Sequence, residues 1–172
     1  MTGKTYEQCL QEYLFDPLGM GRSCAFLDDI EGDADHATPY DRTDTSDALR
    51  GMRPIPFYRT PVEDRAKGIG AAMGPAGSID SCAADMLKWV QFHLNHGAWE
   101  GKQLISEDSM QQMHRPNMIL NAPLDMPMPE TDFWSYGMGW FIESFRGHKL
   151  IQHGGNINGF SGFTSFMPDL NL

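Results

Sequence analysis

The sequence predicts an α+β fold, with helices first and an antiparallel sheet last. Three observations carry this. Apolar residues recur with helical spacing in separate stretches before Arg115. The period shortens to that of extended chain after Phe133. The connections between those extended stretches are too short for crossover helices, so the strands must run antiparallel. At 172 residues, 41% of them hydrophobic, the chain is long enough to bury one sizeable core. The expected organisation is a single domain: 1–20 a helix and exit loop, 21–66 a surface excursion, 67–132 a helical part, and 133–172 antiparallel strands.

The first helix is signalled by Thr5 and Gln8, whose capping-box spacing lets each side chain satisfy the other's free backbone N–H. Tyr6, Cys9, Leu10, Tyr13 and Leu14 form its apolar stripe. Asp16-Pro17 is expected to end it, and Leu18-Gly19-Met20 to form a tight exit. The segment from Gly21 onward is polar, acidic and punctuated by proline, and Pro54-Ile55-Pro56-Phe57 allows only short extended pieces. The acidic run Asp28 to Asp47 reads as a solvated loop rather than a metal site.

Gly68 to Gly77 is rich in small residues, but its glycines do not space as a nucleotide loop and Pro75 is expected to interrupt any helix there. Ser78 to Ser81 supplies a cap for a second helix whose stripe is Ala83, Met86, Leu87, Val90 and Leu94, widened by Trp89 and Phe92 and stopped by Gly97. His93 and His96 stand three apart on it. With no third ligand of matching geometry, the sequence predicts no metal there. Ser106 caps a short third helix to about Met113, with Ile105 and Met110 spaced as a hydrophobic staple. Tyr136 to Ile142, Lys149 to Gln152 and Phe163 to Met167 read as three strands, joined by Arg146-Gly147-His148 and by Asn156 to Ser161.

The formal net charge of −10 repels phosphate backbones and anionic surfaces, so nucleic-acid and membrane partners are not expected. No apolar run approaches the ~18 residues of a membrane span. Cys9, Cys24 and Cys82 are odd in number and lack C-x-x-C spacing, which encodes neither a disulfide framework nor a zinc knuckle. No cofactor is implied.

A nucleophilic hydrolase needs an activated Ser or Cys, a base, and donors for the developing oxyanion. The chain has no G-x-S-x-G; Gly159-Phe160-Ser161-Gly162-Phe163 misses it at the last position, leaving Ser161 as a strand or turn hydroxyl. It has no Ser-x-x-Lys, Tyr-x-Asn or Tyr-x-Ser either. It does have His153-Gly154-Gly155 at the end of an expected strand, followed by Asn156-Ile157-Asn158-Gly159-Phe160.

Taken with Tyr136-Gly137-Met138-Gly139-Trp140 and Met167-Pro168-Asp169, this region resembles the third-motif region of the class C β-lactamase-like serine hydrolases. That superfamily includes penicillin-binding proteins, D-amino-acid-specific peptidases and esterases. Upstream, Gly77-Ser78-Ile79-Asp80-Ser81 through Met86 is similar to the family's glycine turn into a long helix. Thr2-Gly3-Lys4-Thr5-Tyr6 through Met20 resembles the segment after its Tyr motif.

The resemblance implies a partial β-lactamase/transpeptidase-like fold, with the nucleophile and Tyr motifs expected before Met1 and a return strand and helix after Leu172. It places His153 at the basic position of the third motif, as in the peptidase and esterase branches. It gives Asn156 the role of backbone oxyanion donor, while Gly154 and Gly155 let substrate lie against the strand. The expected parent is a serine hydrolase acting through an acyl-enzyme on a small or peptide-like amide or ester, with this chain inactive alone. Two alternatives stand beside it: a non-catalytic binding module on a degenerate hydrolase fold, and a stand-alone structural protein. An open edge at Phe163 to Met167 is the expected route of self-association.

Overall fold

The computed structural model describes residues 2–25, 33–42, 52–55, 74–120, 130–157 and 159–172. It divides into two compact units. One comprises Met1–Asp85 with Gly155–Gly162, the other Met86–Gly154 with Phe163–Leu172.

In the first unit, α1 (Tyr6–Leu10) starts at the expected capping box, with Thr5 Oγ1 accepting from the Gln8 N–H at 3.3 Å and Gln8 Oε1 accepting from the Thr5 N–H at 3.0 Å. The chain does not leave the helix at Asp16-Pro17. A π-helical stretch (Gln11–Phe15) follows, and then a last turn, α2 (Asp16–Leu18), with Pro17 in it. Pro17 stands directly after the π stretch, as the second residue of α2. The π stretch also rotates the helix face, because its wider turn takes one more residue than the 3.6-residue spacing assumes. Phe15, Leu18 and Met20 are consequently buried while Tyr13 is exposed. Gly19 takes the left-handed conformation at the exit (φ 64°) and its N–H donates to the Asp16 carbonyl.

Of the long excursion, the described residues form a two-stranded antiparallel ribbon, β1 (Tyr40–Arg42) with β2 (Met52–Pro54). Residues 28–32 and 43–47 of the acidic run, Pro56-Phe57 and the small-residue stretch 68–73 lie outside the described residues. Gly74–Gly77 forms a helical turn, α3, against the expectation that Pro75 would prevent one; Pro75 sits in a first turn. Asp85 is buried and accepts from the Arg22 N–H at 2.8 Å and from Ser23 Oγ at 3.0 Å, tying the chain after α2 to the start of the next helix.

That helix, α4 (Ala83–Leu94), runs into the second unit. Its inward face differs from the expected stripe: Phe92 and His93 are buried while Leu87 is 68% exposed. Large aromatic rings bury more area than leucine, and they take the interior. Gly97 (φ 85°) ends the turn beyond it, where an added methyl would meet the Ile105 carbonyl. After a small ribbon of β3 (Ala98–Trp99) and β4 (Lys102–Gln103), α5 (Glu107–Met113) begins at Ser106, whose side chain accepts from the Ser109 N–H. Met110 is fully buried.

The sheet has the order β5 (Met118–Leu120), β6 (Thr131–Tyr136), β7 (Phe141–Phe145), β8 (His148–Ile157) and β9 (Phe160–Phe166), and β5 to β8 pair antiparallel. The expected single strand over Tyr136 to Ile142 is instead the end of β6, a turn, and the start of β7. Glycines force this break: the Gly137 N–H donates to the Trp140 carbonyl, and a methyl at Gly137 would overlap the Met113 carbonyl oxygen and come within 2.8 Å of Ile142 Cδ1. The expected loop from Asn156 to Ser161 is shorter, because β8 and β9 extend into it. Arg146 and Gly147, both at positive φ, make a two-residue hairpin that fixes the pairing of Phe145 with His148. The core of this unit is Trp140, Ile142, Ile151 and Phe166, packed by Trp89, Val90 and Leu94 of α4. Each fully buried isoleucine contributes roughly 1.5–3 kcal/mol.

Candidate active site

The register set by the Arg146-Gly147 hairpin decides where the His-Gly-Gly motif falls. Gln152 pairs with Phe141, the first residue of β7, so His153 is the first residue of β8 beyond that ladder. Tyr136, the last residue of β6, pairs with the same Phe141. Three strands thus bring Tyr136, Phe141 and His153 together at one end of the sheet.

The half-buried His153 ring lies 5.3 Å from the Phe141 ring at 32°, and its Nε2 is 3.0 Å from Tyr136 Oη. Gly154 is half-buried, and Gly155 and Asn156 are exposed further along β8, in the part of the strand that clusters with the first unit. A methyl on Gly155 would meet no atom within 4 Å. Gly159 is the opposite case: at φ 82° it packs so closely on Pro39 and Tyr40 that a side chain is excluded, and its carbonyl accepts from the Tyr40 N–H. Ser161 lies exposed in β9.

Two polar groups of the second unit were not legible in the sequence as interior residues. Glu143 of β7 is buried and accepts from Trp134 Nε1 at 2.6 Å, Gln152 Nε2 at 2.9 Å and Thr131 Oγ1 at 3.3 Å. Donors from β6 and β8 on a carboxylate of β7 lock three strands in register, and such a carboxylate is tolerated inside because its acceptor sites are filled. The faint signal was one acidic residue inside Phe141-Ile142-Glu143-Ser144-Phe145.

The second group is His93. It turns inward instead of pairing with the exposed His96, and its Nδ1 lies 2.8 Å from Nε2 of buried His114. Trp89, Trp140 and Phe166 surround it. Its Nε2 has no hydrogen-bond partner among the described residues. Burial, and then the neighbouring imidazole, push His93 down to about 3. Burial, followed by the charges of Lys149 and His96, pushes His114 down to about 4. Both rings are therefore neutral at pH 7. Among the described residues, no three or more His, Cys, Asp and Glu side chains gather as metal ligands.

Similarity to known proteins extends over the whole chain. The chain belongs to the Beta-lactamase family, whose profile matches residues 1–172. It is 27% identical over 178 residues to an unguisins hydrolase of Aspergillus violaceofuscus, covering 99% of this chain and 30% of that protein. A second unguisins hydrolase, of Aspergillus campestris, is 22% identical over 172 residues, covering 100% of this chain and 28% of that protein. The chain thus spans less than a third of the length of these relatives. Among solved structures it is similar to the octameric penicillin-binding protein homologue from Pyrococcus abyssi, with a TM-score of 0.73 and 23% identity over 98% of this chain and 32% of that one. The architecture is accordingly a partial β-lactamase/transpeptidase-like α+β fold, and the family relates the chain to serine hydrolases.

Proposed function

We propose that this chain supplies one wall of a serine-hydrolase site that acts through an acyl-enzyme, with His153 as its basic motif residue. The observation that carries the reading is the position of the imidazole: half-buried, just past the β7 ladder, held from one side by Tyr136 Oη and from another by the Phe141 ring. A ring so held is oriented yet accessible, as a proton-transfer or substrate-binding group must be. Gly154 and Gly155 give a substrate backbone room along β8, and the Asn156 N–H serves the oxyanion. Losing one such donor costs on the order of 3 kcal/mol of transition-state stabilisation.

The substrate class is a small or peptide-like amide or ester. A histidine rather than a lysine at this position favours the peptidase and esterase branches, including those specific for D-amino acids, and the relatives named as hydrolases of unguisins agree with hydrolysis as the reaction. The chain contains neither Ser-x-x-Lys nor Tyr-x-Asn, so by itself it is inactive.

The test uses a polypeptide carrying this chain together with the sequence encoded upstream of Met1. It is expected to react with a fluorophosphonate and to hydrolyse a chromogenic ester. His153→Ala is expected to lower turnover by about 10²-fold or more while the melting temperature stays within a few degrees. A polypeptide that neither labels nor turns over, or a His153→Ala variant with unchanged kinetics, would overturn the assignment.

A further inference from the structure

Tyr136 and His153 meet within the second unit, on strands separated by β7, and the contact constrains more than the ring's position. Nε2 of His153 and Oη of Tyr136 are 3.0 Å apart, and one of the two must donate. Acid and base strength decide which. A phenol O–H is more acidic than a neutral imidazole N–H, and an imidazole nitrogen lone pair is far more basic than a phenol oxygen, so the O–H to N arrangement is the stronger bond. With Nε2 accepting, the neutral ring must carry its single proton on Nδ1.

The ring plane is fixed independently. Phe141 lies against the imidazole at 5.3 Å and meets the Tyr136 ring edge-on at 4.9 Å, so the phenol and the imidazole pack on a common aromatic partner. Rotation about the His153 side chain would break both the hydrogen bond and this contact.

We infer that Tyr136 is a positioning residue for His153, holding it as the Nδ1–H tautomer so that the ring presents a donor, not a lone pair, at Nδ1. The inference rests on the reading of His153 as the motif residue of the site. It narrows the substrate chemistry: an N–H at Nδ1 pairs with an acceptor, a carbonyl or carboxylate oxygen, whereas a lone pair there repels one. Free histidine favours the opposite, Nε2–H, tautomer, so the phenol works against the ring's own preference. A phenylalanine in its place keeps the aromatic packing and removes the bias.

The tautomer is read directly in this chain by nitrogen-15 NMR of the imidazoles at neutral to mildly basic pH, with His153 assigned among the six histidines by a His153→Asn variant. The expected result is Nδ1–H for His153 in the unmodified chain and a shift toward Nε2–H in Tyr136→Phe. An Nε2–H ring in the unmodified chain, which requires no variant to fold, would overturn the inference, as would an unchanged tautomer in Tyr136→Phe. In the polypeptide that includes the upstream sequence, Tyr136→Phe is expected to lower kcat by about 10²-fold, with KM changed less than threefold. The two levels separate cleanly. If His153→Ala abolishes turnover but His153 is Nε2–H, the positioning inference fails and the functional reading stands. If His153 is Nδ1–H but His153→Ala is silent, the functional reading fails.

Discussion

Gly155 and Gly159, four positions apart, are held to different standards. At Gly159 the backbone takes a positive φ and presses against Pro39 and Tyr40, so glycine is required for folding. At Gly155 a methyl group would stand in open space, and nothing in the described fold requires glycine there. A strand residue gains roughly 0.5–1 kcal/mol when glycine becomes alanine in a compatible conformation. Gly155→Ala is therefore expected to leave the melting temperature unchanged or slightly raised while lowering kcat/KM of the polypeptide that includes the upstream sequence. Thermal melts and ester hydrolysis on one preparation check this; activity preserved together with stability would show that substrate does not lie against β8 at this point. The candidate site residues were read from His153-Gly154-Gly155 together with the motif-like segments around it. The partners Tyr136 and Phe141 were not assigned to it, because their contact depends on which residue of β8 faces which residue of β7.

Among the elements, those set by local chemistry were read well and those set by packing were not. The Thr5–Gln8 box and the Ser106 cap placed helix starts correctly, since a capping hydrogen bond spans only a few residues. The π stretch at Gln11–Phe15 turned the first helix by one residue and moved burial from Tyr13 to Phe15 and Leu18, which no apolar periodicity announces. The strands Met118–Leu120 and Thr131–Tyr136 were missed, being short or broken in pattern. At the other end of the order, β9 is the last strand among the described residues, and Phe163 on it is 68% exposed. We propose that the stretch Phe163 to Phe166, which has no outer neighbour among the described strands, pairs with a second chain, since a sheet edge offers N–H and C=O groups to an extended partner. Light scattering across a concentration series is expected to show association of this chain, reduced by Phe163→Lys; a monomer throughout would reject the idea.

On the scale of the whole molecule, the buried His93–His114 pair makes stability depend on pH. Both histidines are held below their ordinary value in the folded state, mainly by burial, with Lys149 and His96 acting on His114; Arg115 lies beside Lys149 and Lys149 donates to the His114 carbonyl. The unfolded chain takes up protons near the ordinary value of 6.5 while the folded chain does not, so stability is full above about pH 6.5 and falls as the pH drops toward 4. For His93 alone the loss is about 2 kcal/mol at pH 5. Asp33 and Asp169, whose carboxyls are held down by hydrogen bonds, act in the same direction at lower pH. Urea midpoints at pH 7.5 and 5 are expected to fall accordingly, and His93→Gln to flatten the dependence between them. An equal slope in that variant would place the acid sensitivity elsewhere.

The amino-acid order by itself determined the α+β class, the capped helix starts, the antiparallel sense of the last strands, and the His-Gly-Gly motif with the family it points to. Each depends on side-chain spacing within about one turn or one strand, and such interactions act between neighbours along the chain. Only tertiary structure decided that Glu143 would be interior with its carboxylate filled by distant donors, that His93 would be interior with one nitrogen on distant His114, that Leu87 would face outward, and that Tyr136 would reach the imidazole. Those outcomes depend on volumes and strand registers, which bring together residues 9 to 21 positions apart, and no local pattern encodes which of several polar groups the packing will enclose.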